Sequence, residues 1–180
     1  FKKNLEWWQQ HLGIYQCAVP DKDAERQINT WNPIQSVVTA RFSRSISSSA
    51  SGIRGVGFRD TAQDMLAQAY RKPEWARDTL YSLASQQFED GHAVHAYWPE
   101  EKGKLPQDIT RSDDHIWMVY LAYAIIAESG DLSILDKEIP FLGKDMKTPV
   151  APATLWEHLL RGIEFTENHL GEHGLPLILF

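Results

Sequence analysis

Arg59 and Asp60 stand side by side, and Asp64 follows four residues later. An arginine fork reads an anion and a carboxylate grips sugar hydroxyls. The four-residue spacing lets Asp60 and Asp64 share one helix face. Asp60 equally suits a plain N-cap for a helix starting at Thr61, with an exposed ion pair beside it. The chain leading to this cluster is unusual: Gln27 to Arg59 holds no acid and no lysine but four arginines, Arg41, Arg44, Arg54 and Arg59. Six serines lie between Ser43 and Ser51, and Gly52, Gly55 and Gly57 follow. Guanidinium forks, hydroxyls and glycine-permitted backbone N–H groups suit a phosphate or a polyhydroxy ligand. A Ser/Gly-rich flexible linker with stray arginines has the same composition. Gly55-Val-Gly-Phe-Arg-Asp60 fails as a dinucleotide fingerprint, because Asp60 takes the third glycine position, and no Walker loop is present.

Three other groups could do chemistry. His92 and His95 form a His-x-x-His pair without a clear helical frame or third ligand, so no metal site is expected. Ser112-Asp-Asp-His115 reads as an N-cap with acids at the positive end of a helix. Seven tryptophans in 180 residues offer faces for sugar stacking, although each taken singly reads as core. No Ser-His-Asp or Cys-His arrangement has a recognisable context.

Helical spacing supplies the frame for these residues. Candidate helices cover Leu5 to Tyr15, Asp23 to Arg41 (with Pro33 interrupting it or opening its second part), Thr61 to Arg71, Trp75 to Phe88, His115 to Glu128 and Thr154 to Leu170. The fifth is apolar nearly all round and is expected to be buried on most sides. No two convincing period-2 strands occur, so the chain reads as all-α with long loops at 43–58, 90–112 and 130–152. The longest apolar run, Ile116 to Ala127, is too short to span a bilayer, which speaks against a membrane protein. A net charge of −6 argues against a nucleic-acid partner, and the single Cys17 excludes an internal disulfide. The chain opens on Phe1 and closes on the apolar run Leu175 to Phe180, so both ends read as cut.

Five runs, in order, resemble the cellobiose and chitobiose phosphorylases, glycoside hydrolase family 94. They are Arg54-Gly-Val-Gly-Phe-Arg59-Asp60-Thr-Ala-Gln63-Asp64, Ser85-Gln-Gln-Phe-Glu-Asp-Gly91 with His95, Tyr97 and Pro99, Ser112-Asp-Asp-His-Ile-Trp117, Gly130-Asp-Leu-Ser-Ile-Leu135 and Gly174-Leu-Pro-Leu177. The resemblance covers most of the chain from about Trp31 onward. It implies a partial (α/α)6 barrel, roughly the first half of the helical catalytic domain. Residues 1–180 would be its N-terminal part, without the family's β-sandwich domain. It implies phosphorolysis with inversion of a β-linked gluco-disaccharide or oligosaccharide to an α-sugar 1-phosphate. Inorganic phosphate is then the co-substrate, and no cofactor is needed. Carried over by motif, Arg54 is the phosphate-binding residue, and Arg44, Arg59, Asp60 and Asp64 bind the sugar. The general acid is expected just after Phe180, so no catalytic residue falls in the chain and the chain alone is expected to be inactive. A cytoplasmic, homodimeric parent enzyme completes the expectation.

Two other functions fit parts of the pattern. An (α/α)6 glycoside hydrolase would use two carboxylates and no anion pocket, which the acid-free arginine segment disfavours. A non-catalytic carbohydrate-binding or assembly fragment fits the missing acid loop.

Overall fold

The computed structural model describes residues 1–43, 55–99, 101, 103–109 and 111–178, and the chain is mostly helical. Helix α1 (Lys2–Leu12) is followed by α2 (Lys22–Arg26), capped by Asp21, whose carboxylate accepts from the N–H groups of Asp23 and Ala24. A π-helical turn, Gln27–Trp31, then leads into α3 (Asn32–Val38), and a second one, Thr39–Ser43, follows it. Pro33 sits in the first turn of α3. It has no N–H to donate and its ring crowds the carbonyl one turn back, so the preceding turn widens instead of continuing the α ladder.

Helix α4 (Phe58–Ala69) begins three residues earlier than Thr61. Its N-cap is Gly57, and the N–H of Phe58 is accepted by the His95 carbonyl at 2.9 Å. Asp60 therefore lies in the first turn and is not the cap. A two-residue strand β1 (Val56–Gly57) pairs antiparallel with β2 (Ala96–Tyr97), which fastens the start of α4 to the loop that carries His95. Helix α5 (Pro73–Ala84) follows, then α6 (Asp114–Ser129), closed by Gly130 at φ 69°. After a 3₁₀ turn, Leu132–Asp136, comes an antiparallel hairpin of β3 (Glu138–Leu142) and β4 (Pro149–Thr154), and then α7 (Leu155–Glu167), capped by the Thr154 hydroxyl.

The hairpin corrects the all-α expectation. Pro140 faces Pro152 in its register, and Pro149 opens β4. Prolines suppress a strand signal, and a two-stranded ribbon tolerates them because both strands are edges. The core gathers Phe58, Ala62 and Met65 of α4, Leu80 and Leu83 of α5, Met118, Leu121 and Ile125 of α6, and Leu155 and Leu159 of α7. Helices α4 and α6 start side by side, while α5 and α7 run back against them. Helix α6 is covered on most sides, as expected, and one stripe stays open: Tyr120 and Tyr123 are exposed and their rings stack at 6.5 Å. The tryptophans lie at the margin of the core, with Trp75 and Trp117 half-buried against it. None of the seven is buried, and Trp7, Trp31 and Trp156 are exposed, in keeping with a ring too large to be covered completely at the margins of helices.

Candidate functional site

The shared starts of α4 and α6 bring together charges that lie far apart in sequence. Arg59 donates from Nη1 to Asp113 Oδ2 at 2.9 Å, and Trp117 Nε1 donates to the same oxygen at 3.3 Å. Asp113 occupies the N-cap position of α6 but makes no side-chain cap bond, because its carboxylate is turned to Arg59. Burial by itself would raise the Asp113 pKa, but the bonds from Arg59 and Trp117 outweigh it and hold the carboxyl below its usual range. Its carboxylate in turn raises the Arg59 pKa. The pair is roughly 40% exposed on each side, so its worth lies in aiming the guanidinium more than in stability.

Beside it, His95 Nδ1 lies 2.9 Å from Asp114 Oδ2. Asp114 is 1% exposed, and its other oxygen, Oδ1, is buried without a hydrogen-bond partner among the described residues. Burial pushes the Asp114 carboxyl above its usual pKa, partly offset by His95. Arg59, His95, Arg111, Ser112, Asp113 and Ile178 line a cleft of about 390 Å³. The cleft offers guanidinium and hydroxyl donors beside a histidine, a set that suits an anion or a polyol.

The sequence-predicted residues divide. Arg59 lines this cleft. Asp60 lies in the first turn of α4, folded against Gly57 so closely that a Cβ there would meet its Oδ2 at 2.8 Å. Asp64 follows one turn on, and both acids are half-buried outside the cleft lining. Arg44 and Arg54 lie outside the described residues. The geometry adds Asp113, Asp114 and His95, which sequence reasoning had read as helix-end acids and half of a histidine pair. The only local signal was that arginines in an acid-free segment need carboxylates from elsewhere. His92 and His95 take different partners: His92 Nδ1 lies 2.6 Å from Asp90 and its Nε2 3.2 Å from Asp108. Among the described residues, no group of three or more His, Cys, Asp or Glu side chains is placed to hold a metal ion.

A second polar cluster joins the turn after α5 to α7 and β3. The Gln87 amide donates to Gly91 O at 2.8 Å and to His158 O at 3.0 Å, and its Oε1 faces His158 Nδ1 at 2.8 Å. The other ring nitrogen of His158 meets Ile139 O at 2.9 Å. Gly91, at φ 99°, admits the α7 backbone so closely that a Cβ would meet Arg161 O at 2.0 Å. Part of the Ser85–Gly91 motif therefore does packing. A third feature, a groove of about 540 Å³, runs beside α1, where Trp7, Trp8 and Trp75 surround Arg41, whose guanidinium lies 3.9 Å from the Trp75 ring centre.

Comparison with known proteins gives these residues a family context. The Glycosyl hydrolase 94 superfamily catalytic domain matches residues 7–180. The chain is 29% identical to an N,N'-diacetylchitobiose phosphorylase of Vibrio furnissii over 93% of its own length and 23% of that protein's. It is 32% identical to a solabiose phosphorylase of Paenibacillus borealis, over 68% of the chain and 14% of the relative. It is 30% identical to the cyclic beta-(1,2)-glucan synthase NdvB of Rhizobium meliloti (strain 1021), over 96% of the chain and 6% of the relative. The chain thus spans less than a quarter of the curated relatives it matches.

Proposed function

The chain belongs to the glycosyl hydrolase 94 superfamily, and from that premise we propose that it is the early part of the catalytic domain of an inverting glycoside phosphorylase. The observation that carries this reading is Arg59, held by Asp113 at the common starting end of α4 and α6 within a cleft of mixed donors. The alternation of α4, α5, α6 and α7 in direction supports a partial (α/α)6 barrel whose mouth is that end.

In this reading the parent enzyme cleaves a β-linked gluco-disaccharide or oligosaccharide with inorganic phosphate and yields an α-sugar 1-phosphate. Arg59, Arg44 and Asp60 grip the non-reducing sugar, Asp64 supports them, and Arg54 holds phosphate. An inverting hydrolase needs a second carboxylate to activate water. Phosphate arrives as an anionic nucleophile and needs positive charge to place it, which accounts for an arginine-rich segment without acids. The proton donor comes from beyond Phe180, and the reaction needs no cofactor and runs in the cytoplasm. The likeness to a glucan synthase favours a second reading of the same site, in which the sugar is one end of a longer β-glucan.

The test is the full-length polypeptide that carries this chain, given phosphate with cellobiose, N,N'-diacetylchitobiose or a β-glucan oligosaccharide. Phosphate-dependent release of an α-anomeric sugar 1-phosphate, read by NMR, is expected. Release of free sugar without phosphate dependence would replace the reading with hydrolysis, and turnover of the oligosaccharide alone would select the second reading.

A further inference from the structure

A polyol ligand asks for acceptors as well as donors, because each sugar hydroxyl carries a proton to give. The cleft is rich in donors: Arg59, Arg111 and the Ser112 hydroxyl. Among the described lining residues the carboxylate is Asp113, whose Oδ2 already accepts from Arg59 and Trp117. Beside it and the Ser112 hydroxyl, His95 offers a further acceptor, on a ring held in place by Asp114. In the tautomer that donates Nδ1–H to the Asp114 carboxylate, the ring carries its lone pair on Nε2.

The backbone around His95 leaves the ring little freedom. Its carbonyl accepts from Phe58 N at the start of α4, and its N–H donates to Gln107 O at 2.8 Å. The ring is thus tied to α4 through its own backbone and to α6 through Asp114. A histidine kept only as a staple would not need a carboxylate that is almost wholly buried with one oxygen unpaired. That arrangement costs stability, and such costs concentrate where a site is held ready for a ligand.

Resting on the sugar-binding reading above, we propose that His95, positioned by Asp114, is a specificity residue of the cleft whose Nε2 accepts a hydrogen bond from a hydroxyl of the bound saccharide. It distinguishes a sugar that carries this hydroxyl from one that lacks it. Asp114 acts only through the ring: it fixes which nitrogen holds the proton.

The experiment uses the full-length polypeptide with phosphate and whichever of cellobiose and N,N'-diacetylchitobiose it turns over, together with monodeoxy analogues of that sugar. His95→Ala is expected to raise the saccharide KM by about 10–100-fold and to leave the phosphate KM within about twofold. His95→Gln, which restores an acceptor on a side chain of similar reach, recovers at least about tenfold of that loss. One monodeoxy analogue is penalised in the wild type and no longer penalised in His95→Ala. An unchanged saccharide KM in His95→Ala, or equal losses for both substrates without rescue by His95→Gln, overturns the proposal. If the wild type forms no sugar 1-phosphate, the proposed function fails by itself. Calorimetric binding of the two saccharides to the same three proteins then decides the role of His95. Binding weakened by His95→Ala and restored by His95→Gln upholds it, whereas equal binding, or none by the wild type, overturns it.

Discussion

Two polar clusters in this chain are built from similar parts and end differently. Gln87 and His158 are both fully buried, and each of their polar side-chain atoms has a partner within 3.0 Å. His95 and Asp114 are also a histidine with a buried companion, yet Asp114 Oδ1 has no partner among the described residues. The first cluster joins the turn after α5 to α7 and β3, and nothing in it reaches a cleft. The second opens on the cleft with Arg59. Close partners around every polar atom suit a group retained for packing, and a histidine that lines a cleft while resting on a buried, under-bonded acid suits one retained for a ligand. The contrast predicts that changes in the first cluster cost stability and changes in the second cost turnover.

The largest effect is expected at Arg59. Arg59→Ala removes a charged fork from the cleft and leaves Asp113 with Trp117 alone. We expect kcat/KM for the saccharide in the full-length protein to fall about 10³-fold, equivalent to about 4 kcal/mol. Unfolding free energy should shift by less than about 1 kcal/mol, because the ion pair is substantially exposed. Paired kinetics and urea unfolding separate the two. A loss of stability as large as the loss of turnover would erase the contrast between the clusters.

Next comes His158→Ala. It strands Gln87 Oε1 and Ile139 O and removes a ring that stacks on Phe141 at 3.8 Å. A cost of about 3 kcal/mol is expected from unpaired groups plus a cavity, with the saccharide KM unchanged. Denaturant unfolding reads the first and steady-state kinetics the second.

How much of this was legible beforehand follows from where each signal resides. Helices α5, α6 and α7 announce themselves because their apolar residues recur every three or four positions and Gly130 stops α6. The start of α4 does not, because its cap is the His95 carbonyl, a bond across 37 residues. The β3–β4 hairpin is hidden by its own prolines. Arg59 was legible as a candidate from its acid-free surroundings, and the family motif gave it a role. Its partner Asp113 was not, since an acid at a helix start already has a local reason to be there. His95 was visible only as half of a metal-like pair, and which half matters is decided by tertiary packing against Asp114. The family motifs include Arg59, His95, Asp113 and Asp114, but the reading from them assigned a role to Arg59 alone of these four.

A third prediction concerns pH. His115 is buried beside Phe165 and bonded to Thr166, and burial, helped by repulsion from His92, lowers its pKa to about 4. The unfolded ring titrates near 6.5, so the fold prefers the neutral form. Its stabilising preference is whole above about pH 6.5 and is lost progressively as pH falls to about 4, a span of about 3 kcal/mol. His115→Gln should flatten stability between those limits in urea unfolding followed from pH 7 to 4. A wild-type curve that is already flat there would show the ring to be solvated.

The smallest effect has the opposite sign and bears most directly on the contrast. Burial raises the Asp114 pKa, so the folded chain disfavours its ionised form. A carboxyl raised in this way is tolerated below its unfolded pKa, near 4, and penalises the fold as pH rises through the folded value. Asp114→Asn removes the buried charge and can turn either its oxygen or its NH2 group toward His95 Nδ1. The variant should be as stable as the wild type near pH 4 and slightly more stable at pH 7, by up to about 1 kcal/mol, while its saccharide KM rises because the proton on His95 is no longer pinned to Nδ1. The measurement is urea unfolding at the two pH values, alongside kinetics at pH 7. A variant less stable than the wild type at pH 7 would mean that Asp114 is a structural acid after all. The His95–Asp114 pair would then belong with Gln87 and His158 among the groups that only hold the helices together.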